Sequence, residues 1–190
     1  MADRLRQHDV TLRDVDLVLR PMTEGDWDAL LRWNQDPEVL YYSEGARVDA
    51  RSLEDVQGIY RDVSEHAYVF IAELAGRRIG ECWLQEMNLD RILSRLPREL
   101  DLRRIDLMIG EKDLWGRGLG TRMIALLVRL AFEQCGADAV FGCEVADHNP
   151  RSRRAFERNG FVLDQVVPQG PGSKAREAYD MVLRRKPQGS

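Results

Sequence analysis

Apolar side chains recur along the chain with two different periods, and the switches between them outline the elements. Leu17-Val18-Leu19-Arg20-Pro21 reads as a short strand closed by proline. Thr23 then caps a helix carrying Trp27, Leu30, Leu31 and Asn34 up to Asp36-Pro37. Leu53, Val56, Ile59, Tyr60 and Val63 fall on one face of a second helix. Tyr68 to Leu74 and Ile79 to Met87 read as a hairpin about a turn at Gly76-Arg77. Residues 89–99 predict no more than a helical turn around Ile92, Leu93 and Leu96, ended by Pro97. Leu102 to Gly110 alternates, with Ile105, Leu107 and Ile109 on one face and Arg104, Asp106 and Met108 on the other.

Helical spacing returns at Leu119, Met123, Leu126, Leu127, Leu130 and Ala131, and Cys135-Gly136 stops it. Ala139 to Ala146 is a strand. Asn149 then supplies an N-cap with Pro150 at the first helical position, and this helix runs to Asn159-Gly160. Phe161 to Val167 and Arg176 to Leu183 are closing strands. The order predicts an α/β fold of the α+β type: antiparallel strands gather at both ends, with one strand-helix-strand crossover between them. A single domain over residues 17–184 is expected, with a loosely attached extension at 1–16 and a flexible tail at 185–190.

Composition narrows the function classes. The 190 residues carry 28 basic and 32 acidic side chains, and the formal net charge of −4 argues against a nucleic-acid partner and leaves cationic substrates open. No apolar run approaches the ~20 residues of a membrane span, and MADRLRQHDV has no signal-peptide core, so a cytoplasmic address and no membrane partner are expected. Cys82, Cys135 and Cys143 form no CxxC pair and read as small buried hydrophobes, with no metal site expected. Monomer and homodimer both remain open.

Trp115-Gly116-Arg117-Gly118-Leu119-Gly120-Thr121 lies between a strand and a helix, where glycines let backbone N–H groups approach a phosphate at the positive helix end. It is no P-loop, because the Lys-Ser/Thr ending is missing. The plainer alternative is a helix-start turn that binds nothing. Taken in order, Ile105 to Gly110, Trp115 to Thr121, Asn149-Pro150-Arg151-Ser152 and Asn159-Gly160-Phe161 resemble the GNAT superfamily of N-acetyltransferases over nearly the whole chain.

That resemblance implies a sheet with a splayed central strand pair. It also implies that Gly116, Arg117, Gly118, Leu119, Gly120 and Thr121 hold the pyrophosphate of acetyl-CoA, with Trp115 standing where the family usually has Gln or Arg. Leu107, Met108 and Ile109 would line the pantetheine arm, a backbone N–H near Met108 aimed at the thioester carbonyl as an oxyanion stabiliser. Asn149, an N-cap in its own right, would touch the pantetheine side, with Arg151 and Ser152 beside it. Phe156 takes the cofactor-side position where the family often has an acidic tyrosine.

An amine acceptor must lose a proton before it attacks, and Asp106 is the candidate base: it lies ten residues before Gly116 on the polar face of the strand. The aminoglycoside 6′-N-acetyltransferase branch has a similar Ile-Asp pair at this offset, and with it comes the implication of antibiotic resistance. The alternative is that Asp106 merely pairs with Arg103 or Arg104. Glu81, Trp83, Glu144 and Asp147, with Glu86, Asp101 and Asp180, are candidates for holding a small polycationic amine. Two further readings stay open: acetylation of a protein N-terminus, as in the branch that modifies ribosomal proteins, and a non-catalytic CoA-binding domain.

Overall fold

The computed structural model describes residues 4–44 and 49–186. Its strands are β1 (Leu12–Asp14), β2 (Leu17–Pro21), β3 (Ala67–Leu74), β4 (Arg77–Glu86), β5 (Leu102–Ile109), β6 (Ala139–Ala146), β7 (Val162–Pro168) and β8 (Glu177–Arg184). They form one sheet in the order β1-β2-β3-β4-β5-β6-β8-β7. Every described pairing is antiparallel except β5 with β6. The helices are α1 (Trp27–Gln35), α2 (Pro37–Ser43), α3 (Leu53–Ser64), α4 (Asp90–Leu93), α5 (Leu119–Arg129) and α6 (Pro150–Arg158).

Of three apolar clusters among the described residues, the two nearest the site divide the faces of the sheet. Leu30 and Trp33 of α1 and Val56 and Tyr60 of α3 pack on Val69, Ile71 and Met108. On the other face Leu119, Met123 and Leu127 of α5 and Phe156 of α6 pack on Phe70, Cys82 and Ile105. The alternation of β5 produces this split, since Ile105 and Met108 have odd and even parity and so serve opposite faces.

Four local differences from the sequence reading have physical causes. Asp36-Pro37 does not only end α1; the Asp36 Oδ1 accepts from the N–H of Glu38 at 2.9 Å and of Val39 at 3.2 Å, and starts α2 with proline at its first position. The hairpin turn is Ala75-Gly76, both at positive φ, because Leu74 pairs with Arg77. The described residues before Asp16 are not loose: Leu5 and Leu12 are buried, β1 pairs with β2, and Arg122 of α5 donates to the Asp14 and Asp16 carboxylates at 2.6 and 2.8 Å, while positions 1–3 lie outside the described residues. The expected tail begins later than residue 185, since the Arg185 N–H donates to the Asp138 carbonyl at 2.8 Å; positions 187–190 lie outside the described residues.

The feature that positions the site is where β5 and β6 part. Their parallel ladder covers four pairs, from Leu102 with Ala139 to Ile105 with Gly142, and none beyond. At Gly142 the Phe156 ring lies against the β6 backbone: a Cβ there would stand 2.4 Å from Phe156 Cε1, inside any contact distance. The register of β6 with β8 shifts between Gly142 and Val145, and Glu144 within that bulge has φ 56°. Asp180, fully buried, holds the bulge: its Oδ1 accepts from the Glu144 N–H at 3.0 Å, and Arg91 donates to both its oxygens at 3.0 Å.

Gly142→Ala should therefore cost about 1–3 kcal/mol or more by overpacking. The double variant Gly142→Ala, Phe156→Leu should recover part of that loss. Urea denaturation of the three proteins checks it; a fully stable single variant would mean that the ring does not pack against Gly142.

Candidate active site

The donor side is built around the start of α5. Gly116 and Gly118 have φ of 77° and 78°, and a Cβ at either would meet nothing within 4 Å, so the requirement there is backbone conformation and not space. The Arg122 N–H makes the first bond back to the Gly118 carbonyl, at 3.2 Å, leaving the N–H groups of Leu119, Gly120 and Thr121 at the open, positive end of the helix. Arg151, Arg154 and Arg158 line the same cleft from α6, and none has a carboxylate partner among the described residues. By contrast Arg153, on another face, pairs with Glu157 at 2.9 Å.

The cleft has a volume of about 320 Å³. Of the expected donor-side residues it is lined by Leu107, Met108, Ile109, Gly116, Gly118, Leu119, Gly120, Thr121, Asn149, Arg151 and Ser152. Arg117 is exposed and its side chain does not line the cleft. Phe156 does not either: at 2% exposure it is a core residue, edge-to-face with Phe161 at 5.0 Å, and Gly142 makes its place. Glycine-dependent N–H groups facing three unpaired guanidinium groups fit a diphosphate-bearing ligand such as coenzyme A.

Trp115 and Tyr42 complete the wall. The Arg151 guanidinium lies 4.4 Å from the Tyr42 ring centre and 4.5 Å from that of Trp115, a cation held between two aromatic faces. Trp115 Nε1 donates to the Ile109 carbonyl at 2.7 Å. Asn149 caps α6 by accepting from the Ser152 N–H at 3.2 Å, and its Nδ2 donates to the Tyr42 carbonyl at 2.9 Å. Its amide thus ties α2 to α6 at the rim of the cleft.

The phase of the β4–β5 ladder corrects one assignment. The Met87 N–H donates to the Leu102 carbonyl and the Gly110 N–H to the Ile79 carbonyl, each at 2.9 Å. Antiparallel bonds alternate, so the even-numbered residues of β5 bond to β4, and Met108 is spent on Glu81 directly opposite. Leu107 and Ile109 turn their N–H groups toward the gap left by β6. The open donors at the splay are these two and not Met108.

On the other face of β5, cross-strand pairing sets Met108 beside Glu81 and Asp106 beside Trp83. Both Asp106 oxygens accept from one guanidinium, Arg104 Nε at 2.8 Å and Nη2 at 2.7 Å, which is the pairing left open by the sequence. Glu81 is only 3% exposed, and its Oε2 has no hydrogen-bond partner. Burial pushes its carboxyl well above the ordinary carboxylate range, and the nearby Asp106 and Glu44 charges add to this against a hydrogen bond from Tyr60. Trp83 meets the Tyr60 ring edge-on at 6.1 Å, its Nε1 also without a partner.

Glu144 and Asp147 are not gathered with these groups. Glu144 sits in the β6 bulge with its side chain half exposed, 3.4 Å from Arg91, and Asp147 accepts from the Arg176 N–H at 3.4 Å. Asp180 is structural, as above. Sequence reasoning missed Tyr42 because α2 was not foreseen, although Asp36-Pro37 was its visible signal. Tyr60 is a core residue of α3, as the helix periodicity predicts, and its ring also meets Trp83 beside Glu81.

Glu81 gives a stability prediction. A carboxyl raised by burial keeps its proton in the folded chain where the unfolded chain has lost it, so its contribution is fully present at low pH and is lost as pH rises toward the folded value. Glu81→Gln has no such loss. Between about pH 5 and about pH 8 the melting temperature should move in favour of the variant; a constant difference would mean that Glu81 titrates as an exposed acid.

With the geometry in place, comparison with known proteins is direct. Residues 16–162 match the acetyltransferase (GNAT) domain family. Aminoglycoside N(6′)-acetyltransferase type 1 of Serratia marcescens is 27% identical over 195 residues, covering 92% of this chain and 90% of that protein. The Klebsiella pneumoniae protein of the same name is 27% identical over 191 residues, covering 90% of this chain and 89% of the relative. Aminoglycoside acetyltransferase AAC(6′)-Ib in complex with coenzyme A and kanamycin superposes with a TM-score of 0.73 at 26% identity, over 89% of this chain and 95% of that one. Spermidine N-acetyltransferase from Vibrio cholerae, in complex with CoA and spermine, shares the fold at 18% identity and a TM-score of 0.73, over 90% of this chain and 96% of that one. The chain belongs to the GNAT acetyltransferase family and is an acetyl-CoA-dependent N-acetyltransferase.

Proposed function

We propose that the acceptor is a primary amine of a small polycationic molecule of the aminoglycoside class. The observation that carries this reading is the composition of the face of β4 and β5 that α3 covers: two carboxyls, Glu81 and Asp106, beside the aromatic rings of Trp83 and Tyr60. Such a wall suits an ammonium group on a polar ring system. The similarity to two aminoglycoside N(6′)-acetyltransferases over nine-tenths of the chain supports it.

In this reading the Leu119, Gly120 and Thr121 N–H groups and the α6 arginines bind the diphosphate. The Leu107 and Ile109 N–H groups engage the pantetheine arm and polarise the thioester carbonyl. Acetyl-CoA supplies an acyl group already activated as a thioester, so the chain has to orient it, exclude water and prepare the amine. Asp106, fixed by Arg104, contributes a negative charge that attracts the acceptor cation. Transfer is direct, within a ternary complex. The exposed Val162, Leu163 and Val166 on the edge strand β7 support a homodimer over a monomer.

Release of free CoA, measured with a kanamycin-class aminoglycoside, a linear polyamine and an N-terminal peptide, tests the acceptor. The aminoglycoside should have a kcat/KM at least tenfold above the other two. Preference for the peptide would move the protein to the N-terminal branch, and release with none would leave a CoA-binding domain. Gly118→Asp, which places a side chain and a negative charge at the helix start, should abolish acetyl-CoA binding in calorimetry while the fold persists.

A further inference from the structure

Asp106 is the carboxylate whose spacing marks it as the base, yet both of its oxygens are already committed to Arg104 Nε and Nη2. Arg104 is in turn held by the Asn88 side chain at 3.1 Å. Taking a proton at Asp106 would break a bidentate ion pair in a half-buried place, the costly direction for such a pair. Glu81, two residue pairs along the same ladder and on the same face, has the opposite character. It is buried, its Oε2 is unpartnered, and it lies directly across from Met108. Opposed side chains on one face have Cβ atoms about 4.5–5.5 Å apart, and Met108 is among the residues lining the cleft, so Glu81 is the cross-strand neighbour of a cleft residue.

We infer that Glu81, and not Asp106, is the catalytic residue that takes the proton from the acceptor amine. This rests on the reading of the acceptor as an amine.

The groups around Glu81 fit the task. Tyr60 faces it from α3, and the Asn34 Nδ2 of α1 donates to the Tyr60 hydroxyl at 3.3 Å. Arg51, whose charge favours the Glu81 carboxylate, donates to Asn34 Oδ1 at 2.6 Å and is paired with Glu44 at 2.8 Å. From β5 comes Asp106 with its Arg104, and from β3 the apolar Ile71 directly opposite. Both cations of this set, Arg51 and Arg104, are ion-paired with other carboxylates. Burial therefore favours the neutral acid of Glu81, and an entering ammonium group is a charge that favours its ionised form.

The proton and electron balance is as follows. When the ammonium group binds, the Glu81 proton leaves to solvent and the carboxylate pairs with the cation. Glu81 then takes one N–H proton, and the freed lone pair on nitrogen forms the N–C bond at the thioester carbonyl carbon. The carbonyl electrons move to oxygen, beside the Leu107 and Ile109 N–H groups. They return as the C–S bond breaks, and the departing thiolate takes the second proton from nitrogen. The products are the amide and CoA thiol, Glu81 is again a neutral acid, and one proton has gone to solvent. No tyrosine at position 156 is required, which agrees with Phe156 being a core residue.

The test compares wild type, Glu81→Gln, Glu81→Asp and Asp106→Asn with the best amine of the acceptor panel. Three quantities are read: the pH profile of kcat/KM, calorimetric acetyl-CoA affinity, and the infrared carboxyl bands of the enzyme without acetyl-CoA. Glu81→Gln should lower kcat by ~10²-fold or more with unchanged acetyl-CoA affinity, and the acid limb of the profile should vanish. Glu81→Asp should keep the limb at reduced kcat. Asp106→Asn should mainly raise the acceptor KM and keep the limb. A protonated-carboxyl band at neutral pH should be present in wild type, absent from Glu81→Gln, and converted to carboxylate when the amine is added. Should Glu81→Gln not fold, the band in wild type and the Glu81→Asp profile decide.

Glu81→Gln within threefold of wild type, or loss of the limb in Asp106→Asn alone, would overturn the assignment while leaving the acceptor reading intact. A wild type inert toward every amine would overturn both.

Discussion

β5 and β6 run side by side, but only the first four residue pairs are bonded; at Gly142, the last of them, the Phe156 ring packs on the face of β6, and the strand then enters a bulge. The β6 bulge that follows is held by a buried carboxylate, Asp180, anchored by Arg91. Two backbone donors of β5, Leu107 and Ile109, are left without a strand partner in the middle of a sheet, a place where unpaired N–H groups are costly. The site depends on this local failure of pairing: the edge it exposes is the one that a ligand with an extended amide-bearing arm can complete. The start of α5 and the arginines of α6 then lie at one end of that edge, and the Glu81 face at the other.

Charge is sorted across the sheet in the same way. The α5–α6 side presents helix N–H groups and guanidinium groups without acidic partners, the surroundings an anionic donor needs. The α1–α3 side presents carboxyls beside aromatic rings, the surroundings a cationic acceptor needs. β5 separates the two, and its alternation gives odd-numbered residues to one side and even-numbered residues to the other. The two substrates can thus meet only where the strand backbone itself is open.

Much of this was legible in the sequence because the signals were local. Asn149-Pro150 announced a capped helix, Gly116 and Gly118 a left-handed loop, and the alternation in 102–110 a strand with Asp106 opposite the aliphatic side. The misses lie where the outcome depends on partners distant in sequence. Phe156 looked like a substituted acid at the cofactor until Gly142 was seen beneath it. Met108 had the right position but the wrong parity, which only the register with β4 could reveal. Asp36-Pro37 satisfied both a helix end and a helix start, and the structure uses both. The extension before residue 16 had too few apolar residues to read as packed, yet Leu5 and Leu12 suffice because Arg122 holds the adjoining carboxylates.

Amide hydrogen exchange, resolved residue by residue with and without acetyl-CoA, tests the open edge most directly. Leu107 and Ile109 should exchange fast in the free protein and become protected when acetyl-CoA binds, while Met108, bonded to Glu81, stays protected in both states. Slow exchange at Leu107 and Ile109 without acetyl-CoA, or no change there on binding, would contradict the account.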